Sequence, residues 1–418
     1  MSNKTNNRIL LALLWTGTVA PSWGQSSPEL RTLYSFTQSA NGLDPNNGVT
    51  IGNGGVLYGT TAGGGTHNSG VVYSLAPPAS AGGSWKQEVI TNFEGNDAAR
   101  ENPTGALVAV ASGVIYGSTT GGSSDYGSLD GEVYSLRPPS ASGGSWTRTA
   151  LCTFAPRQGP VAIAMGRKGV LYGITTFAGG VVLSCAPPAS SGDGWSETTL
   201  YDLLTGGGSN FYTNLIVGRG GVIYSTTNGT VSSGGSVFSL TPPAAPGDSW
   251  TAATLFGFPP IADGVAPDGL AVGPGGVLYG STSLGGDTTD GNCNPSGCGV
   301  VFALTPPASP GGAWTQTVLH TFTSNPDGAF PNLVTAGPGG VLYGSTYSGG
   351  TFGYGTLYSL TPPPSPEGSW TYSLLYSFTG GSDSGNPNGL TLGPDGILYG
   401  TTQGVVGSDI GTVFAFRP

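Results

Sequence analysis

The sequence contains few charged residues and almost no histidine. Only 8% of its 418 residues are Asp, Glu, Lys or Arg, and it has two histidines. No Gly-x-Gly-x-x-Gly motif opens a helix and no helical periodicity is present, so a phosphate loop for nucleotides is not indicated. The formal net charge of −10 would repel phosphate backbones, which argues against nucleic acid as a partner.

Cysteine is also scarce, with four residues in the chain. Cys293 and Cys298 stand five residues apart in a stretch of turn-forming residues, which predicts a local disulfide. Two readings stay open for the others: Cys152 and Cys185 form a second bond, or Cys185 is a small buried hydrophobe. No histidine stands near either pair at metal-ligand spacing, so zinc is not predicted.

The first 24 residues are typical of a secretory signal peptide. Lys4 and Arg8 precede an apolar stretch, residues 9–20, which is too short to span a bilayer. Cleavage after Gly24 would leave residues 25–418 as a single domain with no membrane partner, secreted to the periplasm or outside the cell. The alternative is an uncleaved anchor.

What the sequence has in abundance is glycine, proline and an internal repeat. The chain contains 76 Gly and 33 Pro, interleaved with apolar β-forming residues. A Leu/Ile-Tyr-Gly tripeptide, with Ser225 replacing Gly in one copy, recurs every 52 to 64 residues, which indicates repeated supersecondary units. The seven tyrosines are Tyr58, Tyr116, Tyr172, Tyr224, Tyr279, Tyr343 and Tyr399.

Each repeat predicts four short antiparallel strands. The first resembles residues 388–393 and ends at a Pro/Gly turn, and the second is the Val-Leu-Tyr-Gly-Thr segment. A variable Gly-rich loop leads to the third strand, which stops at a Pro-Pro pair because proline cannot donate to a sheet. The fourth strand begins at a tryptophan and ends near a phenylalanine. We interpret the tyrosines and tryptophans as packing residues between units.

Seven such units predict an all-β fold, a seven-bladed β-propeller of four-stranded antiparallel blades. The N-terminal segment, residues 30–36, matches only a fourth strand, whereas residues 388–416 supply only the first three. We therefore predict that residues 30–36 join the blade of residues 388–416 and close the ring, because an open array would leave sheet edges unpaired. Few exposed edges would remain, which predicts a monomer.

The repeat resembles the GloVer-type tandem repeat of bacterial exported proteins, some of which carry a surface anchor. The resemblance covers residues 30–418 and rests on a Leu-Tyr-Gly-Thr-Thr motif, a Gly-Gly loop and a Gly-x-Val-Phe/Tyr motif, as in residues 57–73. It implies a secreted or cell-surface location and offers no established activity. This chain ends at the last strand without a sorting tail, so the resemblance does not imply surface attachment here.

Any binding site is expected on one face of the propeller. The loops between the second and third strands, together with the crossovers between blades, vary widely, whereas the loops of the opposite face are nearly uniform. We predict a ligand-binding face with the candidates His67, Glu94, Asp97, Asp125, Asp130, Asp287 and Asp290. Asp287, Asp290 and Asn292 could bind calcium; otherwise no cofactor is expected. His320 occupies a packing position.

These patterns favour a secreted or cell-envelope binding scaffold over an enzyme, with a glycan or a surface protein as the partner. The alternative is an extracellular polysaccharide hydrolase or lyase with an acidic site at the channel mouth. A third alternative is a purely structural envelope protein. No Ser–His–Asp arrangement can be read from the residue spacing.

Overall fold

The computed structural model is an all-β propeller of seven blades around a central channel. It describes residues 28–418 except residues 38, 81, 96–100, 102, 125–126, 142, 156–157, 176–179, 191, 204–213, 229–233, 246, 260–263, 290–292, 294, 310, 366–367 and 406–410. The expected signal peptide lies outside the described residues.

The four strands of each blade are named a to d, from the channel outwards, and strand 1a is strand a of blade 1. Blades 1 to 3 comprise Leu43–Pro45 with Thr50–Ile51, Leu57–Gly63, Val71–Ala76 and Lys86–Asn92; then Pro103–Ala109, Ile115–Thr119, Gly131–Arg137 and Thr147–Phe154; then Ala162–Met165, Leu171–Ile174, Val181–Ala186 and Ser196–Asp202. Blades 4 and 5 comprise Leu215–Val217, Ile223–Asn228, Gly235–Thr241 and Thr251–Gly257; then Val265–Val272, Leu278–Leu284, Val300–Thr305 and Thr315–Thr321. Blades 6 and 7 comprise Ala329–Pro331 with Thr335–Ala336, Leu342–Ser348, Thr356–Thr361 and Thr371–Ser377; then Thr391–Leu392, Leu398–Thr402, Thr412–Arg417 and Glu29–Ser35.

Short turns join strands a and b with glycine in the left-handed region, as the Pro/Gly pattern predicts, and in blades 1, 3, 4, 5 and 6 they are 3-10 turns. Gly275, for example, has φ +68°. Strand a is interrupted in blades 1 and 6 just after Pro45 and Pro331, whose nitrogens cannot donate to the sheet. The described 3-10 turns are Ser39–Asn41, Asn53–Gly55, Arg167–Gly169, Arg219–Gly221, Pro274–Gly276 and Pro338–Gly340.

The b–c loop of blade 2 differs from the sequence prediction, which treated residues 121–130 as a loop. The structure has a two-stranded hairpin there, Gly122–Ser124 paired with Gly127–Leu129. A segment rich in Gly and Ser has weak β propensity, so its strands were not recognisable from the sequence alone.

The ring closes through the N-terminal strand, as predicted. Strand 7d, Glu29–Ser35, pairs antiparallel with strand 7c, Thr412–Arg417. The Phe36 amide then donates to the Gly411 carbonyl at 3.0 Å, and the Phe36 ring, 2% exposed, packs into the core shared with blade 1. The first strand of the chain therefore completes the last blade.

Aromatic side chains join successive blades, which confirms the packing role expected for the tyrosines and tryptophans. The tyrosine of strand b meets the tryptophan at the start of strand d in the next blade, with ring centroids 5.7 to 6.4 Å apart. These pairs are Tyr58–Trp146, Tyr116–Trp195, Tyr172–Trp250, Tyr279–Trp370 and Tyr399–Trp85. The hydrophobic core thus lies between blades.

The outer strands protect the exposed edges of the blades. Each c–d pairing contains a register shift at the same place, for example between Val72 and Tyr73 in blade 1 and between Leu357 and Tyr358 in blade 6. A bulge in every outer strand twists the unpaired edge and discourages strand addition by another chain.

Both cysteine pairs are disulfides. Cys293 and Cys298 close a turn in the b–c loop of blade 5, as predicted. Cys152 and Cys185 are also bonded, which resolves the question that the sequence left open. Cys152 lies in strand 2d and Cys185 in strand 3c, so this bond joins two blades covalently. Within the described residues, no helix is long and apolar enough to cross a membrane.

Candidate functional site

The central channel contains a cavity of about 550 Å³ that residues of all seven blades line. Its walls are strand a and the residues just before it. Most of the lining is glycine, aliphatic side chains and neutral polar groups, and Asp268 is the one acidic residue among the described lining residues. The polar lining residues are Asn46, Asn47, Thr50, Asn214, Asp268, Asn332, Asn388 and Thr391.

The amides and Asp268 lie at one end of the cavity. Asn214 and Asn388 precede strand a, the amides of blades 1 and 6 lie between its two segments, and Asp268 lies in the first half of strand 5a. Because the b–c loops emerge at the same end as the crossovers, this polar end faces the variable loops. The cavity thus joins the face that the sequence predicts for binding.

Several of these amides form hydrogen bonds from blade to blade, and these bonds, which span five of the seven blades, are called the ring. Asn332 donates to the Pro387 carbonyl at 2.7 Å, Asn388 to the Pro45 carbonyl at 2.7 Å, and Asn46 to the Pro103 carbonyl at 3.4 Å. Thr104 continues the ring by donating to the Pro160 carbonyl at 3.2 Å. These bonds link blades 6, 7, 1, 2 and 3, and each satisfies a proline carbonyl at the start of an inner strand.

A second set of bonds starts from strand b, two residues after the repeated tyrosine. Ser345 donates to the Asn388 carbonyl and Thr401 to the Asn47 carbonyl, both at 2.7 Å. Thr226 and Ser281 occupy this position in blades 4 and 5, but their hydroxyls are buried without a hydrogen-bond partner. At this position, the hydroxyl groups of blades 6 and 7 are therefore bonded to the next blade, whereas those of blades 4 and 5 have no partner.

The crossovers contain carboxylates that are used in inter-blade contacts. Asp327 accepts from Thr323, and its other oxygen lies 2.9 Å from Nε2 of His320, whose ring stacks on Tyr372 at 4.1 Å. Burial alone would raise the pKa of Asp327, but the bonds from His320 and Thr323 outweigh it and hold that pKa below its ordinary value. The structure thus gives His320 the packing role predicted for it, and adds a hydrogen-bond partner.

A second inter-blade contact, between blades 1 and 2, involves three charged side chains. Arg148 bonds both Glu101 of the crossover and Glu132 of strand 2c, and its guanidinium lies 4.8 Å from the centre of the Phe93 ring. Burial of Glu132 raises the pKa of its carboxyl despite Arg148. Because Arg148 holds both carboxylates at the interface between blades 1 and 2, they are not directed into the channel.

The predicted site residues that the structure describes lie on separate loops of blades 1, 2 and 5. His67, Glu94 and Asp130 are exposed, and the His67 ring contacts its neighbour Thr66. Asp287 accepts from the Thr289 amide and hydroxyl. Asp97, Asp125, Asp290 and Asn292 lie outside the described residues, so the calcium site stays a prediction. In the described part of the chain, no three His, Cys, Asp or Glu residues are placed to hold a metal ion.

Sequence reasoning missed the residues that line the cavity. The Pro-Asn/Asp pair in or next to strand a, present as Pro267-Asp268, Pro331-Asn332 and Pro387-Asn388, was a recognisable signal. It repeats eleven residues before the tyrosine of strand b. Tyr347, near the end of strand 6b, and Phe352, on the b–c loop that follows, are 40% and 55% exposed and add aromatic surface to the same face.

The C-terminal part of the chain matches the Gloeobacter/Verrucomicrobia repeat family. The match to this family spans residues 288–418 and confirms the repeat type that the Leu-Tyr-Gly-Thr-Thr motif indicates. No curated protein matches the chain.

Among solved structures, the chain is similar to other propellers. A candidate 6-phosphogluconolactonase from Bacteroides uniformis has 14% identity and a TM-score of 0.52, over 89% of this chain and 100% of that one. The extracellular domain of a candidate one-component system from B. thetaiotaomicron has 11% identity and a TM-score of 0.52, over 93% of this chain and 42% of that one. PorZ, a surface component of the type-IX secretion system of Porphyromonas gingivalis, has 15% identity and a TM-score of 0.50, over 90% of this chain and 46% of that one. At these identities the likeness shows the fold alone.

Proposed function

We propose that this protein is a secreted binding scaffold that takes a neutral saccharide at the polar end of its central channel. The observation that carries this proposal is the cavity of about 550 Å³ with its amide, glycine and aliphatic lining. Amide groups can donate to and accept from sugar hydroxyls, and aliphatic walls pack against the apolar faces of sugar rings. The two disulfides fit an oxidising compartment.

The charge distribution supports a binding protein over a hydrolase. A glycoside hydrolase uses two carboxyl groups across the scissile bond, whereas the described lining contains one, Asp268. The crossover carboxylates nearby form inter-blade contacts with Arg148 and His320. The polysaccharide hydrolase or lyase stays the alternative, and the experiment below separates the two.

The test is a glycan-array measurement on residues 25–418, with and without calcium, comparing the wild type with a channel-filling variant. Gly389 lines the cavity, and a Cβ added there would meet nothing within 4 Å. Gly389→Trp should therefore fill the channel without a backbone clash and abolish binding. Gly194, on a c–d loop of the opposite face, has the same open surroundings, so Gly194→Trp is the matched control.

We expect the wild type and Gly194→Trp to bind the same neutral glycans, and Gly389→Trp to bind none at an unchanged melting temperature. Equal binding by both variants would remove the channel from the proposal, and silence of the wild type would reject saccharide binding. Release of new reducing or unsaturated ends from the bound glycan would identify a hydrolase or a lyase instead.

A further inference from the structure

The amides of Asn332 and Asn388 are fixed in the channel wall through their nitrogens. Each nitrogen donates to the proline carbonyl of the next blade at 2.7 Å and to the strand-b hydroxyl two residues after the tyrosine, at 3.1 Å for Asn332 and 3.0 Å for Asn388. Because a carbonyl can only accept, these bonds fix which end of each amide faces the neighbouring blade. The partners are Pro387 and Ser345 for Asn332, and Pro45 and Thr401 for Asn388.

The oxygens of the same two amides are not used by the fold. Among the described residues, no group donates a hydrogen bond to Oδ1 of Asn332 or of Asn388. Neither oxygen is among the described side-chain atoms that are fully buried without a partner, so both keep exposed surface, and both residues line the cavity. Since Asn332 bonds Pro387, the residue directly before Asn388, the two amides are neighbours in the wall.

Other blades show that the inter-blade bond does not explain these oxygens. In blade 1, Oδ1 of Asn46 accepts from the Asn47 amide at 3.1 Å and from the Thr60 hydroxyl at 3.3 Å. In blade 2 the position belongs to Thr104, whose hydroxyl makes the bond to the proline carbonyl without an amide. That bond therefore does not by itself require asparagine, and blades 6 and 7 retain acceptors that the protein leaves unused.

We propose that Oδ1 of Asn332 and Oδ1 of Asn388 form a subsite that accepts hydrogen bonds from two hydroxyl groups of the bound saccharide. The proposal rests on the proposed function and locates the saccharide against blades 6 and 7. Because both nitrogens are committed to the ring, the two amides offer acceptors alone and select hydroxyl groups over carboxylates, which cannot donate. Acceptors that are oriented before binding reduce the ordering cost of the complex.

The test uses two residues that the repeat itself places at this position, threonine in blade 2 and aspartate in blade 5. Threonine keeps a hydroxyl for the proline carbonyl but removes the amide oxygen, whereas an ionised aspartate keeps an acceptor and cannot donate to that carbonyl. Asn53→Thr is the control, because the Asn53 amide also bonds the next blade, through the Ala111 carbonyl at 2.8 Å, but lies at an a–b turn away from the cavity lining.

Each variant is titrated with the oligosaccharide that gives the strongest array signal, and its melting temperature is measured without ligand. Affinity should fall at least about tenfold in Asn332→Thr and in Asn388→Thr, and by less than about twofold in Asn53→Thr. Asn388→Asp should bind more tightly than Asn388→Thr but melt at a lower temperature, because it keeps the acceptor and loses the bond to the next blade.

Unchanged affinity of Asn332→Thr and Asn388→Thr overturns the subsite while leaving the proposed function intact. Weaker binding by Asn388→Asp than by Asn388→Thr also overturns it, because affinity would then follow the stability of the ring and not the amide oxygen. If the wild type binds no saccharide on the array, both proposals fail.

Discussion

Interfaces 7–1 and 4–5 each contain a buried threonine two residues after the tyrosine of strand b. The numbers of an interface are those of the two blades that meet there. Thr401 and Thr226 are 0% and 1% exposed. Thr401 donates to the carbonyl of Asn47 across interface 7–1, whereas Thr226 has no partner at interface 4–5. The same position of the repeat therefore links two blades through a hydrogen bond at interface 7–1 and holds an unbonded hydroxyl group at interface 4–5. The two interfaces therefore differ in how fully their buried polar groups are hydrogen-bonded.

The largest effect should come from deleting the closing strand. Removing residues 29–36 takes away the outer strand of blade 7 and the buried Phe36, Leu33 and Tyr34 contacts with blade 1. Full burial of such a side chain stabilises by ~1.5–3 kcal/mol, and Leu33 and Tyr34 are partly buried, so we expect a loss of ~4–6 kcal/mol. The measurement is chemical unfolding of this deletion beside a chain that begins at residue 28. Unchanged unfolding would contradict ring closure.

Much of this architecture could be predicted from the sequence, for physical reasons. The tyrosine repeat reports strand b directly, and the two incomplete ends fit together only as one blade. The Cys293–Cys298 bond followed from a short turn-rich spacing. By contrast, Cys152 and Cys185 are 33 residues apart on different blades, and nothing in that spacing shows that interface 2–3 brings them together.

The cavity was less predictable because its chemistry depends on which polar atoms find partners. Asn214 and Asn388 are the same residue type at the inner wall, but Asn388 is committed to the ring and Asn214 is not. Similarly, the acidic loop residues suggested a binding face, whereas the structure shows that Asp327 and Glu101 join blades. Such distinctions arise from tertiary contacts, which a linear pattern does not contain.

The next largest effect should come from the disulfides, which sharpen the comparison between interfaces. Replacing both Cys152 and Cys185 with alanine frees a loop of 33 residues across interface 2–3. The chain-entropy estimate is a loss of about 3–4 kcal/mol, against about 2 kcal/mol for removing the Cys293–Cys298 pair within one loop. Urea unfolding of the two double variants measures the difference. A larger loss from the Cys293–Cys298 pair would contradict an inter-blade role for the first bond.

A smaller, pH-dependent effect is expected at the interface between blades 5 and 6. The lowered pKa of Asp327 means that its contribution to stability is present above the ordinary carboxyl pKa and is lost as the pH falls through the lowered value. Asp327→Asn should therefore cost about 2 kcal/mol at neutral pH, with the difference from wild type shrinking below about pH 4.

Urea unfolding across this pH range measures the effect. Asp193→Asn, in an exposed c–d loop, is the control and should change little. A constant difference between Asp327→Asn and the wild type at all pH values would show that the Asp327 charge does not stabilise the interface.

The smallest expected effect tests the comparison most directly, because threonine and valine have nearly the same shape. Thr401→Val removes the bond to the Asn47 carbonyl and the acceptor for the Asn388 amide, so it should lower the free energy of unfolding by about 1–2 kcal/mol. Thr226→Val removes only an unpartnered hydroxyl, so it should leave that free energy unchanged or raise it. Urea unfolding of the two ligand-free variants is the decisive measurement. Equal losses would contradict the account, since interface 4–5 would then be as fully bonded as interface 7–1.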